Sequence, residues 1–229
     1  MNDHADSKLP KHDGGWHEGP YLLLTLALVL TVILHPIMET LFGANMMNVL
    51  LTLLLLAGLR AISGHRWLFR IMGAVVLPVL AANWVVDNLQ SAPVVEWLTS
   101  IVTQLFLLVV MGTVFWDVIK ARKVTADVIF GSVAVYLLVG VVMAMVYQLI
   151  NTIDPGTVIA SVTADVTTRT AAFDQFLYFS FITLTSVGFG DLSPLGQYAR
   201  SFAVFEGVVG QLYLAILVAR LVGAHLAQE

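Results

Sequence analysis

The chain has 229 residues, of which 59% are hydrophobic and only 11% are charged. Soluble domains carry about 25% charged residues, so this composition excludes a soluble globular protein and indicates an integral membrane protein. The absence of cysteine excludes disulfides and cysteine-based metal sites. The formal net charge of −4 says little about topology, because topology depends on where the Lys and Arg residues lie.

The first twenty residues are polar and lack the basic start and short apolar core of a cleaved signal peptide. We expect residues 1–20 to form a cytoplasmic tail. Its histidines and acids either hold a metal or belong to a disordered segment, and their irregular spacing favours the second interpretation. The residues concerned are His4, Asp6, His12, Asp13, His17 and Glu18.

Seven apolar segments follow the tail. A membrane-spanning helix needs about 20 mostly apolar residues, and six of the segments approach or exceed that length. The predicted spans are residues 21–40, 45–61, 67–86, 94–119, 127–150 and 199–223. The remaining segment, 172–185, covers about half a membrane as a helix and is predicted to be re-entrant. The pattern predicts an all-α membrane protein with a tail (1–20), a four-helix transmembrane domain (21–123) and a C-terminal domain (124–229).

The basic residues predict the orientation of these spans. With the spans as given, two of the eleven Lys and Arg residues, Arg169 and Arg200, fall on one side of the membrane, and the other nine fall on the opposite side. This bias places both termini in the cytoplasm. The nine residues on the cytoplasmic side are Lys8, Lys11, Arg60, Arg66, Arg70, Lys120, Arg122, Lys123 and Arg220.

A glycine-containing run, Thr-Leu-Thr-Ser-Val-Gly-Phe-Gly-Asp at 183–191, follows the re-entrant segment. Gly188 and Gly190 alternate along it and reach backbone angles that residues with a Cβ avoid. Such a strand can turn the carbonyls of consecutive residues, Ser186 to Phe189, toward one side. A column of carbonyls can replace the water shell of a dehydrated monovalent cation, and Ser186 can add its hydroxyl at the inner end.

The run resembles the selectivity filter of the potassium-channel superfamily, usually Thr-Val-Gly-Tyr-Gly-Asp. The resemblance implies a six-span, tetrameric, prokaryotic-type potassium channel whose outer helix, pore helix, filter and inner helix lie in 124–229. Two positions depart from the common form: Ser186 replaces Thr and keeps the hydroxyl, and Phe189 replaces Tyr and loses the phenol that braces the filter. The implied filter residues are Ser186, Val187, Gly188, Phe189 and Gly190, with K⁺ held at the first four, and Thr185 and Asp191 support them.

One strand coordinates an ion from one side only, and the chain contains no second filter-like stretch. We therefore expect a homo-oligomer, and the resemblance implies four copies. It also places an inner-helix hinge at Gly210, with Gly207 as a nearby rival, and a tie between Asp191 and the pore helix. In the preceding half-helix, Asp174 is expected to cap or bias the start.

Glu206 is an ionisable residue inside a predicted span, which makes it a functional candidate by default. Two interpretations stay open at this stage. The carboxyl group either tunes gating near the filter or cavity, or hydrogen-bonds the pore helix for packing alone. Gln211 has the same ambiguity, and packing is favoured there.

The first four helices lack the charges of a voltage sensor. Each charge moved through 100 mV contributes about 2.3 kcal/mol, so a steep sensor needs several cations in the membrane field. Residues 94–119 contain no Lys, Arg or His, and Lys120, Arg122 and Lys123 lie beyond that segment. Arg66 and Arg70 either bind anionic lipid headgroups or only anchor the orientation. His35, Asn83 and Asp87 form a weaker candidate ligand or proton site, for which packing and loop roles are favoured.

The sequence favours a passive, potassium-selective channel in the cell membrane. The alternatives are a less selective monovalent cation channel of the same architecture, and a non-conducting membrane sensor or scaffold. A pore-loop uptake transporter is disfavoured, because those usually carry four pore segments in one chain. No arrangement of nucleophile and base, phosphate loop or nucleic-acid patch is present, so we expect neither an enzyme nor a cofactor, with K⁺ only as the permeant ion.

Overall fold

The structure of the chain is a computed structural model that describes residues 19–42, 45–89, 93–121, 123–153, 158, 160–161 and 169–226. Over these ranges the chain forms seven helices and one antiparallel pair of two-residue strands. The helices are α1 (Pro20–Phe42), α2 (Asn45–Ala61), α3 (Arg66–Leu89), α4 (Pro93–Lys120), α5 (Ala126–Ile153), α6 (Arg169–Leu184) and α7 (Gln197–Leu226). The strands are β1 (Ala160–Ser161) and β2 (Leu192–Ser193).

Within the described residues, three helical segments are long and apolar enough to cross a membrane. These are Leu98–Lys120, Ala126–Ile153 and Gln197–Arg220, and shorter apolar helices cover Pro20–Leu34 and Val49–Ala61. The chain is therefore an all-helical membrane protein, as its composition predicts.

The half-helix α6 begins earlier than the apolar pattern predicts. It starts at Arg169 and not at residue 172, so Asp174 is its sixth residue and no acid lies in its first turn. The predicted capping role of Asp174 is therefore wrong. The apolar run marks only part of the helix, because the helix already includes the polar residues Arg169 and Thr170.

Helix α5 is the centre of the fold. It packs against α1, α4, α6 and α7, and α1 also packs against α2. In the most apolar stretch of α5, 56% of the residues are buried, compared with 11% in α7. Helix α7 is apolar, yet little of it is buried within one chain. It therefore leaves a large apolar face for lipid or for other copies of the chain.

Four helix ends meet at one level, opposite the glycine-containing run. The Tyr21 hydroxyl of α1 donates to Asp117 of α4 at 2.7 Å, and the Tyr21 amide donates to Asp127 of α5 at 3.2 Å. The Arg220 guanidinium of α7 donates to the carbonyl of Ala121 at 2.8 Å. His65, between α2 and α3, lies 3.9 Å from Asp117. These contacts bring the start of α1, the end of α4 and the start of α5 together at one end of the helices.

Some candidate sites fall outside the described part of the chain. The tail histidines and acids belong to residues 1–18, and the side chains of His35, Asn83 and Asp87 are likewise outside the description. Arg66 and Arg70 lie exposed at the start of α3.

Candidate ion-binding site

The segment after α6 alternates its backbone conformation residue by residue. Ser186, Gly188 and Gly190 have φ values of 58°, 53° and 81°, while Val187 and Phe189 are not in the positive-φ region. Glycine reaches positive φ at no steric cost, so Gly188 and Gly190 fit these angles. All residues from Thr185 to Gly190 are exposed on the single chain.

The amides of this segment point back at the end of α6. The N–H groups of Val187 and Gly188 both donate to the Ile182 carbonyl, at 2.9 and 3.1 Å, and the Ser186 N–H donates to the Thr183 carbonyl at 3.0 Å. In a trans peptide the C=O and N–H point in opposite directions, and the described chain contains no cis peptide. The carbonyls of Thr185, Ser186 and Val187 therefore point away from α6, toward the exposed side.

The outer end of the segment is tied to α6 by a side-chain hydrogen bond. The Tyr178 hydroxyl donates to the Asp191 carboxylate at 2.9 Å. Beyond Asp191, strand β2 pairs with β1, with Ser193 opposite Ala160. Phe189 has no phenol, and Tyr178 supplies a different bond between α6 and the end of the run.

Gly210 marks the closest approach of α7 to the end of α6. A Cβ built on Gly210 would lie 2.2 Å from the Leu184 carbonyl oxygen, far inside van der Waals contact. A Cβ on Gly207 would lie 3.8 Å from the Thr183 carbonyl, an ordinary contact. Both glycines lie inside the uninterrupted helix α7. Close packing therefore accounts for the glycine at 210, and the hinge role of either glycine stays a prediction.

Glu206 is fully buried between three helices. The Tyr147 hydroxyl of α5 donates to Glu206 Oε2 at 2.7 Å, and the Ser180 hydroxyl of α6 is hydrogen-bonded to Glu206 Oε1. The Ser180 hydroxyl also lies 2.7 Å from the Gly140 carbonyl oxygen of α5. The contact with α6 is the one that the packing interpretation of Glu206 predicts, and its role in gating stays a prediction.

The hydrogen count around Ser180 favours a neutral carboxyl group. A serine hydroxyl has one proton to donate, yet Ser180 Oγ faces two acceptors, Glu206 Oε1 and the Gly140 carbonyl. Both contacts are satisfied together when Glu206 carries a proton, because the carboxyl O–H then supplies the second hydrogen. A charge buried in this apolar region, with no cation within its hydrogen-bonded group, would in contrast be costly.

Several of the partner residues are not identified by sequence reasoning. Tyr147 and Ser180 hold Glu206, Tyr178 holds Asp191, and the Tyr136 hydroxyl donates to the Leu184 carbonyl at 3.3 Å. One property of the sequence points to the tyrosines among them, because the hydroxyl of a tyrosine inside a span needs a hydrogen-bond partner. At the start of the glycine-containing run, Gln211 Nε2 of α7 donates to Ser186 Oγ at 2.8 Å. Gln211 therefore makes a specific hydrogen bond in addition to its packing contacts.

Comparison with known proteins agrees with this geometry. A family model described as ion channel matches residues 131–225, which include α6, the glycine-containing run and most of α7. Protein LctB of Bacillus caldotenax is 30% identical over 101 residues, covering 44% of this chain and 75% of LctB. The chain therefore belongs to this ion channel family. No solved structure matches it significantly.

We predict that Glu206→Gln leaves the stability of the purified protein close to that of the wild type, whereas Glu206→Ala lowers it. Glutamine has the shape of the neutral carboxyl group and keeps a donor for Ser180 and an acceptor for Tyr147. Alanine removes the partner of the Tyr147 hydroxyl, while Ser180 keeps the Gly140 carbonyl, and a buried unsatisfied group costs about 1–3 kcal/mol. Thermal stability in detergent, followed as the loss of the monodisperse size-exclusion peak, measures both variants. Equal destabilisation by Gln and Ala would contradict the neutral assignment.

We also predict that Gly210→Ala is destabilising and that Gly207→Ala, the matched control on the same helix, is tolerated. The methyl group at 210 meets the Leu184 carbonyl, and overpacking of this kind costs about 1–3 kcal/mol. At 207 the same methyl group makes an ordinary contact. The same thermal assay compares the two variants. The packing account of Gly210 is wrong if the two variants melt alike.

Proposed function

We propose that the protein is a passive, potassium-selective channel. Its filter is the segment from Ser186 to Gly190, in which the carbonyls of Ser186, Val187, Gly188 and Phe189 replace the hydration shell of K⁺. The observation that carries the proposal is the alternation of positive φ at Ser186, Gly188 and Gly190 in an exposed segment whose amides are turned toward α6. Carbonyl rings of this kind coordinate dehydrated K⁺ in potassium channels.

The filter requires several copies of the chain, and we propose four. A single strand offers oxygens to one side of an ion, while its other side stays open. The exposed filter residues, including Val187 at 53% and Phe189 at 72%, and the exposed apolar face of α7 support a symmetric assembly around an axis beside the filter. The C-terminal end of α6 carries partial negative charge, which favours a cation near that axis.

We further propose six membrane spans, α1 to α5 and α7, with α6 re-entrant and both termini in the cytoplasm of a cell membrane. Helices α1 and α3 have 23 and 24 residues, long enough to cross at about 1.5 Å per residue. Helix α2, with 17 residues, is near the lower limit. The meeting of helix ends at Asp117 and Arg220 supports the alternating directions. The exposed Arg66 and Arg70 then face the cytoplasmic headgroups, where anionic lipids attract them.

We predict that the reconstituted protein conducts K⁺ and that Gly188→Asp abolishes the flux. Aspartate at 188 meets a φ of 53° that disfavours a side chain, and it adds a carboxylate beside the carbonyl column. Liposome flux assays measure this, with Gly64→Asp as the control, because Gly64 is exposed in the turn between α2 and α3 and has open space around it. Wild-type liposomes without flux would favour a sensor or scaffold.

Reversal potentials in mixed K⁺ and Na⁺ separate the proposal from a less selective cation channel. Ser186 and Phe189 differ from the common filter, so selectivity is the property to measure. A reversal potential set by the K⁺ concentrations alone supports a potassium channel. A reversal potential set by the K⁺ and Na⁺ concentrations together supports the alternative.

We predict no steep voltage activation. Helix α4 carries its basic residue, Lys120, only in its last turn, where the ammonium lies 4.4 Å from the centre of the Trp116 ring. A charge anchored there at the interface crosses little of the membrane field. Patch recordings from about −100 to +100 mV should show weak voltage dependence. Steep activation that disappears when Lys120, Arg122 and Lys123 are neutralised would contradict this prediction.

A further inference from the structure

Gly210 fixes the place at which the next residue, Gln211, meets the filter. The Leu184 carbonyl occupies the space that a Cβ of Gly210 would need, so α7 lies against the end of α6 at this point. The side chain of Gln211 then reaches the inner end of the filter, where Nε2 donates to Ser186 Oγ at 2.8 Å. This is a hydrogen bond from the inner helix directly to a predicted cation ligand.

Ser186 needs such support because its backbone is strained. Among the described residues it is the one non-glycine residue with a positive φ. A non-glycine residue in the left-handed region is strained and stays there only when its surroundings hold it. Its amide is held by the Thr183 carbonyl. Its side chain is held by Gln211.

The same bond prepares the serine oxygen as a ligand. A hydroxyl oxygen has two lone pairs and one hydrogen. When the Gln211 amide occupies one lone pair, the side chain keeps one rotamer and the second lone pair remains for a cation. An unpinned serine hydroxyl can instead rotate, follow a smaller ion inward or turn its hydrogen toward the ion.

We propose that Gln211 is a specificity-determining positioning residue, which holds Ser186 so that its hydroxyl oxygen contributes to the innermost site at a spacing suited to K⁺. The inference rests on the proposed channel function. Gln211 acts through Ser186 and need not touch the dehydrated ion. Without it, the ring of serine oxygens tightens around smaller ions, and discrimination against Na⁺ falls.

The test is the permeability ratio of Na⁺ to K⁺ from reversal potentials of the full-length protein in lipid bilayers. Gln211→Met keeps the length of the side chain and removes the donor. We expect the ratio to rise roughly three- to tenfold, the change that corresponds to the loss of one hydrogen bond. The matched control is Gln197→Met at the exposed start of α7, which should leave the ratio unchanged.

A double-mutant cycle with Ser186→Ala distinguishes positioning from general disturbance. If Gln211 acts through the serine hydroxyl, Gln211→Met has no further effect on the ratio once Ser186 is alanine. Additive effects of the two substitutions, or an unchanged ratio in Gln211→Met, overturn the inference while wild-type K⁺ currents leave the channel function standing.

Two further outcomes are decisive. If Gln211→Met is not recovered as assembled protein, Gln211→Leu takes its place with the same expected rise. Failure of both variants to assemble would show that Gln211 serves folding and would overturn the inference. Absence of current from the wild type would overturn the proposed function and this inference together.

Discussion

The position of α6 is the constraint on which the rest of the pore region depends. A half-helix cannot anchor itself in a membrane, because it is too short to reach both interfaces. Its neighbours therefore hold it through three contacts at two levels: Glu206 of α7 binds Ser180, while Tyr136 of α5 and Gly210 of α7 both meet the Leu184 carbonyl. The backbone of the glycine-containing run is positioned in turn by the hydrogen bonds from the Val187 and Gly188 amides to the Ile182 carbonyl.

The polar groups behind the filter form a buried system that is complete without a net charge. Tyr147 reaches Glu206, packs edge-on against Phe179 at 5.0 Å between ring centres, and thereby joins α5 to both α6 and α7. In a low-dielectric interior such a network is strong when every donor and acceptor is used, and costly when one is removed.

The sequence predicts the order and type of the helices, because most apolar runs are long and are separated by short polar segments. It predicts positive φ at Gly188 and Gly190, because glycine has no Cβ and adopts such angles without steric cost. It does not predict positive φ at Ser186, which depends on contacts with Thr183 and Gln211 made only after folding. The pairing of Tyr147 with Glu206, 59 residues apart, is likewise a tertiary fact that no local pattern contains.

The contacts of α7 also bear on how the pore opens. At Gly210, α7 packs against the Leu184 carbonyl. Nearer its C-terminal end, Arg220 donates to the carbonyls of Ile119 and Ala121. These carbonyls lie at the C-terminal end of α4, where a cation complements the helix dipole. Ten residues, about 15 Å of helix, separate these two fixed points. If α7 bends at Gly210, as the predicted hinge implies, Arg220 either leaves the end of α4 or carries that end with it. A rearrangement confined to Ser186 would instead break its hydrogen bond with Gln211 and leave the contacts of Gly210 and Arg220 in place.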